Sequence, residues 1–420
     1  LTEIHFNKDN LIMITNADVV VIGAGAFGAS TAYHLARRGQ RVVLLDAHEP
    51  VTQTSPRAAG LTQQIRSDAF MTTLAMRSVH QITHLSEESG EPLVFHQNGS
   101  IKLALTDPFA AQIREEVQRG QALGLAIELL SPAEARRLAP FLHPDRAQAI
   151  WYTASDLFLE PGDLPRTYIR AAQRLGTTVL GNTPATGIGT RAGQVEYVET
   201  AQGRISTPVV VDTGGAWTRI IGALAGIHIP LTPVRHQLYI TQPLSGITTT
   251  QPIVRVLDYN IYVRPERGGL MMGGYEPDPL PMDGQNIATD FQVKDLLLDI
   301  TPLRRLSELV YAEFPLLRDA EIALLRGGLP TMTPDGRHIV DQAPGVAGFF
   351  VASGCCVGGL AISPVVGALL ADWVVDGAPS IDLTPLRLDR FGAMMQNEER
   401  LRAACLWRYA HHYSAEEAPL

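Results

Sequence analysis

Three glycines and an aspartate carry the clearest chemistry in this chain. Gly23, Gly25 and Gly28 stand in GxGxxG spacing, directly after the apolar run Asp18–Ile22 and before a stretch with small residues at Ala29, Ala32 and Ala36. Gly23 supplies a tight turn, Gly25 lets the backbone approach a pyrophosphate, and Gly28 lets a helix lie close to its strand. The N-terminus of that helix offers unpaired N–H groups and a partial positive charge to phosphates. Asp46 closes a second apolar run, Arg41–Asp46, where a carboxylate can accept hydrogen bonds from a ribose hydroxyl. Gly39 is expected at C′ of the helix between the two runs. Strand, glycine turn, helix, strand and terminal acid together predict a dinucleotide-binding βαβ unit.

The motif does not separate NAD from FAD, but two later stretches favour FAD. Val209–Trp217 is a strand running into the glycine pair Gly214-Gly215, suited to returning under the same cofactor. Gly354–Gly359 is a second glycine-rich loop, after the expected strand Gly348–Ala352. Ser363 and Pro364 read as cap and first position of a helix closed by Gly377. Between these parts, residues 107–124 and 131–138 read as helices, and Asp163 as the cap of a helix reaching Leu175. Residues 195–200 and 204–212 read as strands, as do 234–241 and 261–275, the last with a turn at Gly268-Gly269.

The chain has 420 residues, more than one core usually serves. A net charge of −9 argues against a nucleic-acid partner. Cys355, Cys356 and Cys405 form neither a disulfide framework nor a zinc spacing, so no metal is expected and a reducing, cytoplasmic compartment is. Residues 1–16 read as a loose leader, and Leu11–Ile14 is too short for a membrane span, so a soluble protein without one is expected.

The segments GAGAFGASTAYHLARRG, SPRAAGLTQQIR, PLTPVRHQLYIT, IYVRPERGGLMMGGYE, GLPTMTPDG and SGCCVGGLAISPVVG resemble the D-amino-acid oxidase superfamily of FAD enzymes, near sarcosine oxidase and the flavin part of dimethylglycine and sarcosine dehydrogenases. The resemblance implies an α/β fold, α+β overall: a Rossmann-type FAD domain over 17–66, 150–233 and 324–385, and a substrate domain on a mostly antiparallel sheet over 67–149 and 234–323. A C-terminal helical tail is expected over 386–420. It implies cofactor contacts at Gly23, Gly25, Ala26, Phe27, Gly28, Asp46 and Ala47; at Arg57, Ala58, Ala59, Gly60 and Leu61; at Thr213, Gly214, Trp217 and Gly328; and at Gly354, Val357, Gly358, Gly359 and Leu360. Members that bind flavin covalently have a His where this chain has Arg57 or a Cys where it has Gly328, so non-covalent FAD is expected.

The same resemblance places a carboxylate-gripping guanidinium at Arg66, a His that takes a proton from the substrate or orients its amine at His236, and an active-site Tyr at Tyr262, with Tyr259 and Tyr275 as possible partners. Aromatic rings can cage a methylated amine. A second carboxylate ligand of the family is replaced by Ala361, an Arg of glycine oxidase-like members is replaced near Pro330, and the oxygen-activating Lys by Met271. The implied reaction is hydride transfer from an N-methyl or N-alkyl amino acid or related amine to FAD, giving an imine that hydrolyses, with electrons passing to a protein or quinone. An oxygen-using, peroxide-forming amino-acid oxidase and an FAD subunit of a larger amine dehydrogenase complex are the alternatives. No counterpart of the folate domain of dimethylglycine-type enzymes is expected after Tyr413, so formaldehyde from a demethylation would leave or pass to a partner.

Overall fold

A computed structural model describes residues 15–288, 290–392, 397–414 and 416. The expected leader, apart from its last two residues, lies outside the described residues. The runs Val19–Ile22 and Val42–Leu45 are buried throughout, as parallel strands covered on both faces must be. They sit at the centre of a six-stranded sheet in the order Ile339–Gln342, Phe349–Ser353, Val210–Asp212, Val19–Ile22, Val42–Leu45, Thr178–Leu180. All neighbours run parallel except the edge pair Ile339–Gln342 and Phe349–Ser353. Strands from three remote parts of the chain thus meet in one layer.

The helix Ala26–Arg37 ends at Arg38, with Gly39 at φ 79° beyond it. Its outer face packs on a second apolar helix, Gly359–Asp376. The approach is close: a Cβ on Gly367 would lie 2.6 Å from the backbone carbon of Ser30. Gly359–Asp376 is long and apolar enough to cross a membrane, but 61% of it is buried in this core. The helix begins at Gly359, not at Pro364, which corrects the expected cap. Pro364 has no N–H for the Leu360 carbonyl four residues back, and the Ser363 hydroxyl donates to that oxygen instead, at 3.1 Å.

An eight-stranded sheet forms the second layer system, in the order Ile322–Gly328, His236–Thr241, Gly269–Gly274, Ile261–Glu266, Ile253–Val256, Ser100–Ala104, Ala149–Thr153, Ile127–Leu129. Only Ile253–Val256 and Ser100–Ala104 pair in parallel. The strands Ala149–Thr153 and Ile322–Gly328 belong here, so the divisions expected at 150 and 324 fall inside this sheet's own strands. The hairpin turn is Arg267-Gly268, not Gly268-Gly269: both residues have positive φ (51° and 79°), as a type I′ turn requires. The single strand expected over 204–212 is two. Pro208 cannot donate to a ladder, and the chain changes sheets there, Gly203–Ser206 staying in a three-stranded meander.

Candidate active site

Both layers open on one cavity of about 550 Å³. At one end lies the glycine turn. Gly23 has φ 104°, and its carbonyl accepts a hydrogen bond from the Thr213 hydroxyl at 2.8 Å. A Cβ on Gly28 would stand 1.8 Å from that same carbonyl oxygen, so Gly28 does not line the cavity; it permits the turn. The N-terminus of Ala26–Arg37 has no side-chain cap from Gly25, and only its Ala26 N–H is taken up, by the Ser55 hydroxyl at 3.0 Å. The Asp46 carboxylate accepts from Ala24 N–H (2.7 Å) and His48 N–H (2.8 Å), which aims it at the cavity wall. Burial pushes its pKa up to about 6 against the pull of those two amides.

The middle of the cavity is walled by backbone. Arg57 to Leu61 pass along one side, held by buried guanidiniums: Arg264 donates to the Ala59 carbonyl (2.8 Å) and Arg326 to the Ala58 carbonyl (2.9 Å). Gly60 sits at φ 69° with no room for a Cβ, because the Leu159 carbonyl is 2.1 Å from that position. On the other side run Cys355 to Ala361. Cys356 and Val357 are both left-handed (φ 44° and 60°), a conformation that costs about 1–2 kcal/mol for each such residue. The strain is held by Cys355 N–H donating to the Thr331 hydroxyl and Cys356 N–H to its carbonyl. It turns Val357 and Gly358 into the cavity and starts the second helix there, again with no side-chain cap. Two uncapped helix N-termini, glycine walls and an acid at the ribose position fit a dinucleotide whose pyrophosphate and ring system need N–H donors and close backbone. The residues present therefore fit FAD. Gly354, by contrast, does not line the cavity; it turns the chain at φ 63° beneath Thr333.

The far end is aromatic and polar. His236, Tyr262 and Tyr275 line it. The His236 Nε2 is 2.9 Å from the Tyr262 hydroxyl and its Nδ1 2.7 Å from that of Tyr409. Burial pushes His236 down to about 4, so the imidazole is neutral at pH 7. Tyr409 comes from the tail helix Glu398–Ala410, and His412, just beyond it, stacks on Tyr275 at 3.9 Å. Tyr259 is the correction among the aromatic residues: it ends the 3₁₀ turn Leu257–Tyr259, packs with the Phe141 and Phe314 core, and does not line the cavity.

Arg66 does not itself line the cavity; it lies behind Gly358, which does. Its Nη1 would lie 3.4 Å from a Cβ on Gly358, and its Nε has no partner. Burial and the neighbouring Arg255 both work against its charge, Asp156 for it. Lys102, on the next strand, donates to both Glu116 oxygens at 3.0 Å. Around the part-buried Arg66, the buried Arg255 and Lys102 face the buried Glu116 and Asp156, so these five groups carry three positive charges against two negative. A bound carboxylate would match the remaining charge and can pair with a guanidinium through two N–H bonds. Met271 packs on Leu238, Ile240 and Ala59, so the sheet presents a thioether, not an amine, at that point.

Several lining residues carried no reading in the sequence: Thr52 to Ser55, Thr186 and Thr331. The hydroxyl-rich run before Ser55-Pro56-Arg57 was their visible signal. The tail residues Tyr409, His412 and Tyr413 were visible only as a dense Tyr/His cluster.

A family model described as "FAD dependent oxidoreductase" (DAO) matches residues 18–373. The chain is 32% identical to the mitochondrial sarcosine dehydrogenase of Homo sapiens over 95% of its own length and 44% of that protein. It is 31% identical to the mitochondrial dimethylglycine dehydrogenase of Rattus norvegicus over 90% of its length and 45% of that protein. It thus spans a little under half the length of these relatives. The crystal structure of L-proline dehydrogenase from P. horikoshii superposes with a TM-score of 0.82 at 25% identity, over 90% of this chain and 98% of that one.

Proposed function

The chain belongs to the DAO family of FAD-dependent oxidoreductases, and from that premise we propose that it oxidises an N-methyl or N-alkyl amino acid at a carbon next to nitrogen. The observation that carries this reading is Arg66, a part-buried guanidinium with a buried, unpartnered Nε, beside Gly358, which lines the cavity together with His236, Tyr262 and Tyr275. The relatives named above act, by their names, on small N-methylated amino acids. Arg66 holds the substrate carboxylate, and the Tyr262 and Tyr275 rings flank the amine. The dry cavity favours the neutral amine, whose proton is left behind on entry. FAD, when bound, would supply the hydride acceptor for the α- or N-alkyl carbon, the nitrogen lone pair of the substrate forming the C=N bond. Water then adds to that bond, giving a carbonyl compound and a smaller amine. Gly23, Gly25 and the two helix N-termini hold the cofactor in place, and the residues at 57–61 keep water from the reacting face.

FAD is held non-covalently, since Arg57 and Gly328 offer no nucleophile where relatives attach theirs. Acid precipitation is expected to leave a white pellet and a yellow supernatant; a yellow pellet would contradict this. Met271, buried against Leu238, Ile240 and Ala59 at the position where the resemblance implies an oxygen-activating Lys, favours a protein or quinone over oxygen as electron acceptor.

The test is anaerobic reduction. N-methylated amino acids are expected to bleach the flavin, while the matching amines without a carboxylate do so far more slowly. A flavin that no member of such a panel bleaches would refute the reading.

A further inference from the structure

We infer that Tyr409 is a positioning residue that fixes the tautomer of His236 and so presents the Tyr262 hydroxyl to the cavity as a hydrogen-bond donor. The inference rests on the substrate reading above and assigns the substrate carboxylate as the acceptor of that proton.

The argument is one of proton counting. A neutral imidazole has one N–H and one bare nitrogen. Each nitrogen of His236 faces a phenol, at 2.7 Å (Tyr409) and 2.9 Å (Tyr262). One phenol must therefore donate to the ring and the other accept from it. The accepting phenol keeps its own proton, which needs another acceptor, because a buried unsatisfied donor costs about 1–3 kcal/mol. The two phenols differ in what surrounds them. Tyr409 is fully buried, does not line the cavity, and has no other acceptor among the described residues. The Glu276 backbone amide faces its oxygen as a donor, and the hydroxyl makes no hydrogen bond to the Glu276 carboxylate, whose Oε1 is unpartnered. Tyr262 lines the cavity, where a ligand can take its proton.

The arrangement without an orphan proton is then unique. Tyr409 O–H donates to Nδ1, Nε2–H donates to the Tyr262 oxygen, and the Tyr262 proton points into the cavity. In the reverse order the Tyr409 proton would have no acceptor. The same order closes off His236 as a proton acceptor: its bare nitrogen is the one turned away from the substrate. His236 transmits an orientation and does not act as a base.

The test uses the intact FAD-loaded protein with propionate, a carboxylate without an amine, read by the change it causes in the visible flavin band. Tyr409→Phe keeps the ring and removes only the hydroxyl, so propionate Kd is expected to rise roughly threefold to tenfold. Tyr262→Phe is expected to weaken binding at least as much. The double variant should be no weaker than Tyr262→Phe alone, because Tyr409 acts through Tyr262. In ¹⁵N-histidine-labelled protein, with His236→Asn assigning the signal, Nδ1 should be bare and Nε2 protonated in the wild type. An unchanged Kd in Tyr409→Phe, losses that multiply in the double variant, or a bare Nε2 would each overturn the inference. All these readings are taken without turnover, so they stand or fall separately from the bleaching experiment.

Discussion

Replacing Gly28 by valine is expected to give a colourless protein. A Cβ at this position would meet the Gly23 carbonyl oxygen at 1.8 Å and the Thr213 hydroxyl at 2.5 Å. The first is backbone, inside the turn whose N–H groups must face the cofactor, and cannot swing aside. Relief requires the helix Ala26–Arg37 to move off its strand, but Gly367 presses on its other face. Overpacking of this kind costs ~1–3 kcal/mol or more. Distortion of the phosphate cradle adds a loss of FAD affinity on the order of 100-fold, which is about 2.7 kcal/mol. Flavin content after purification and titration of the apoprotein measure the effect. Gly25→Ala is the useful contrast: its Cβ would meet only the Ser55 hydroxyl, at 3.1 Å, so the fold should survive while FAD binds more weakly. A yellow Gly28→Val protein with unaltered melting would show that the turn is not the cofactor's cradle.

Arg66→Lys should raise KM for a carboxylated substrate by about 30-fold to 150-fold, or ~2–3 kcal/mol, with a smaller change in kcat. A guanidinium offers two parallel N–H bonds to a carboxylate; an ammonium offers a point charge on a shorter, freer stem. Burial makes the difference larger, because the lysine can shed its proton in so dry a site and the arginine cannot. Steady-state kinetics with an N-methyl amino acid give the KM. The same measurement with a carboxylate-free amine gives the control, for which no change is expected. Equal KM values for wild type and variant on the acid would remove Arg66 from the substrate grip.

The dinucleotide end was legible because all its information is local. Gly23, Gly25, Gly28, Gly39 and Asp46 each report a turn, a close approach or a strand end within about one supersecondary unit. Where an element depends on distant partners, local reading failed in identifiable ways. The run 204–212 alternates well enough for one strand, yet Pro208 in its middle was the mark of a sheet change. Tyr259 ends a 3₁₀ turn and the left-handed Asn260 follows it, so the strand carrying Tyr262 starts only at Ile261; of the two, only Tyr262 reaches the cavity. Pro364 looked like a helix start because prolines favour that position, but the strained Cys356 and Val357 begin the helix earlier. Nothing local ties Tyr409 to His236, which lie 173 residues apart, or explains why a tail helix should reach the site.

The six-stranded sheet has a consequence for how the protein is made. Its central strand, Val19–Ile22, pairs with Val210–Asp212, which in turn waits for Phe349–Ser353. The helix carrying the glycine turn is covered by Asp163–Arg174 and Gly359–Asp376. Synthesis must therefore pass residue 376 before the N-terminal nucleotide motif is fully supported. Such long-range closure is slow and leaves apolar strands uncovered meanwhile. Flavin supply should then govern the yield of native protein more than its rate of synthesis, and a fragment ending before residue 349 should emerge aggregated rather than as a small nucleotide-binding module.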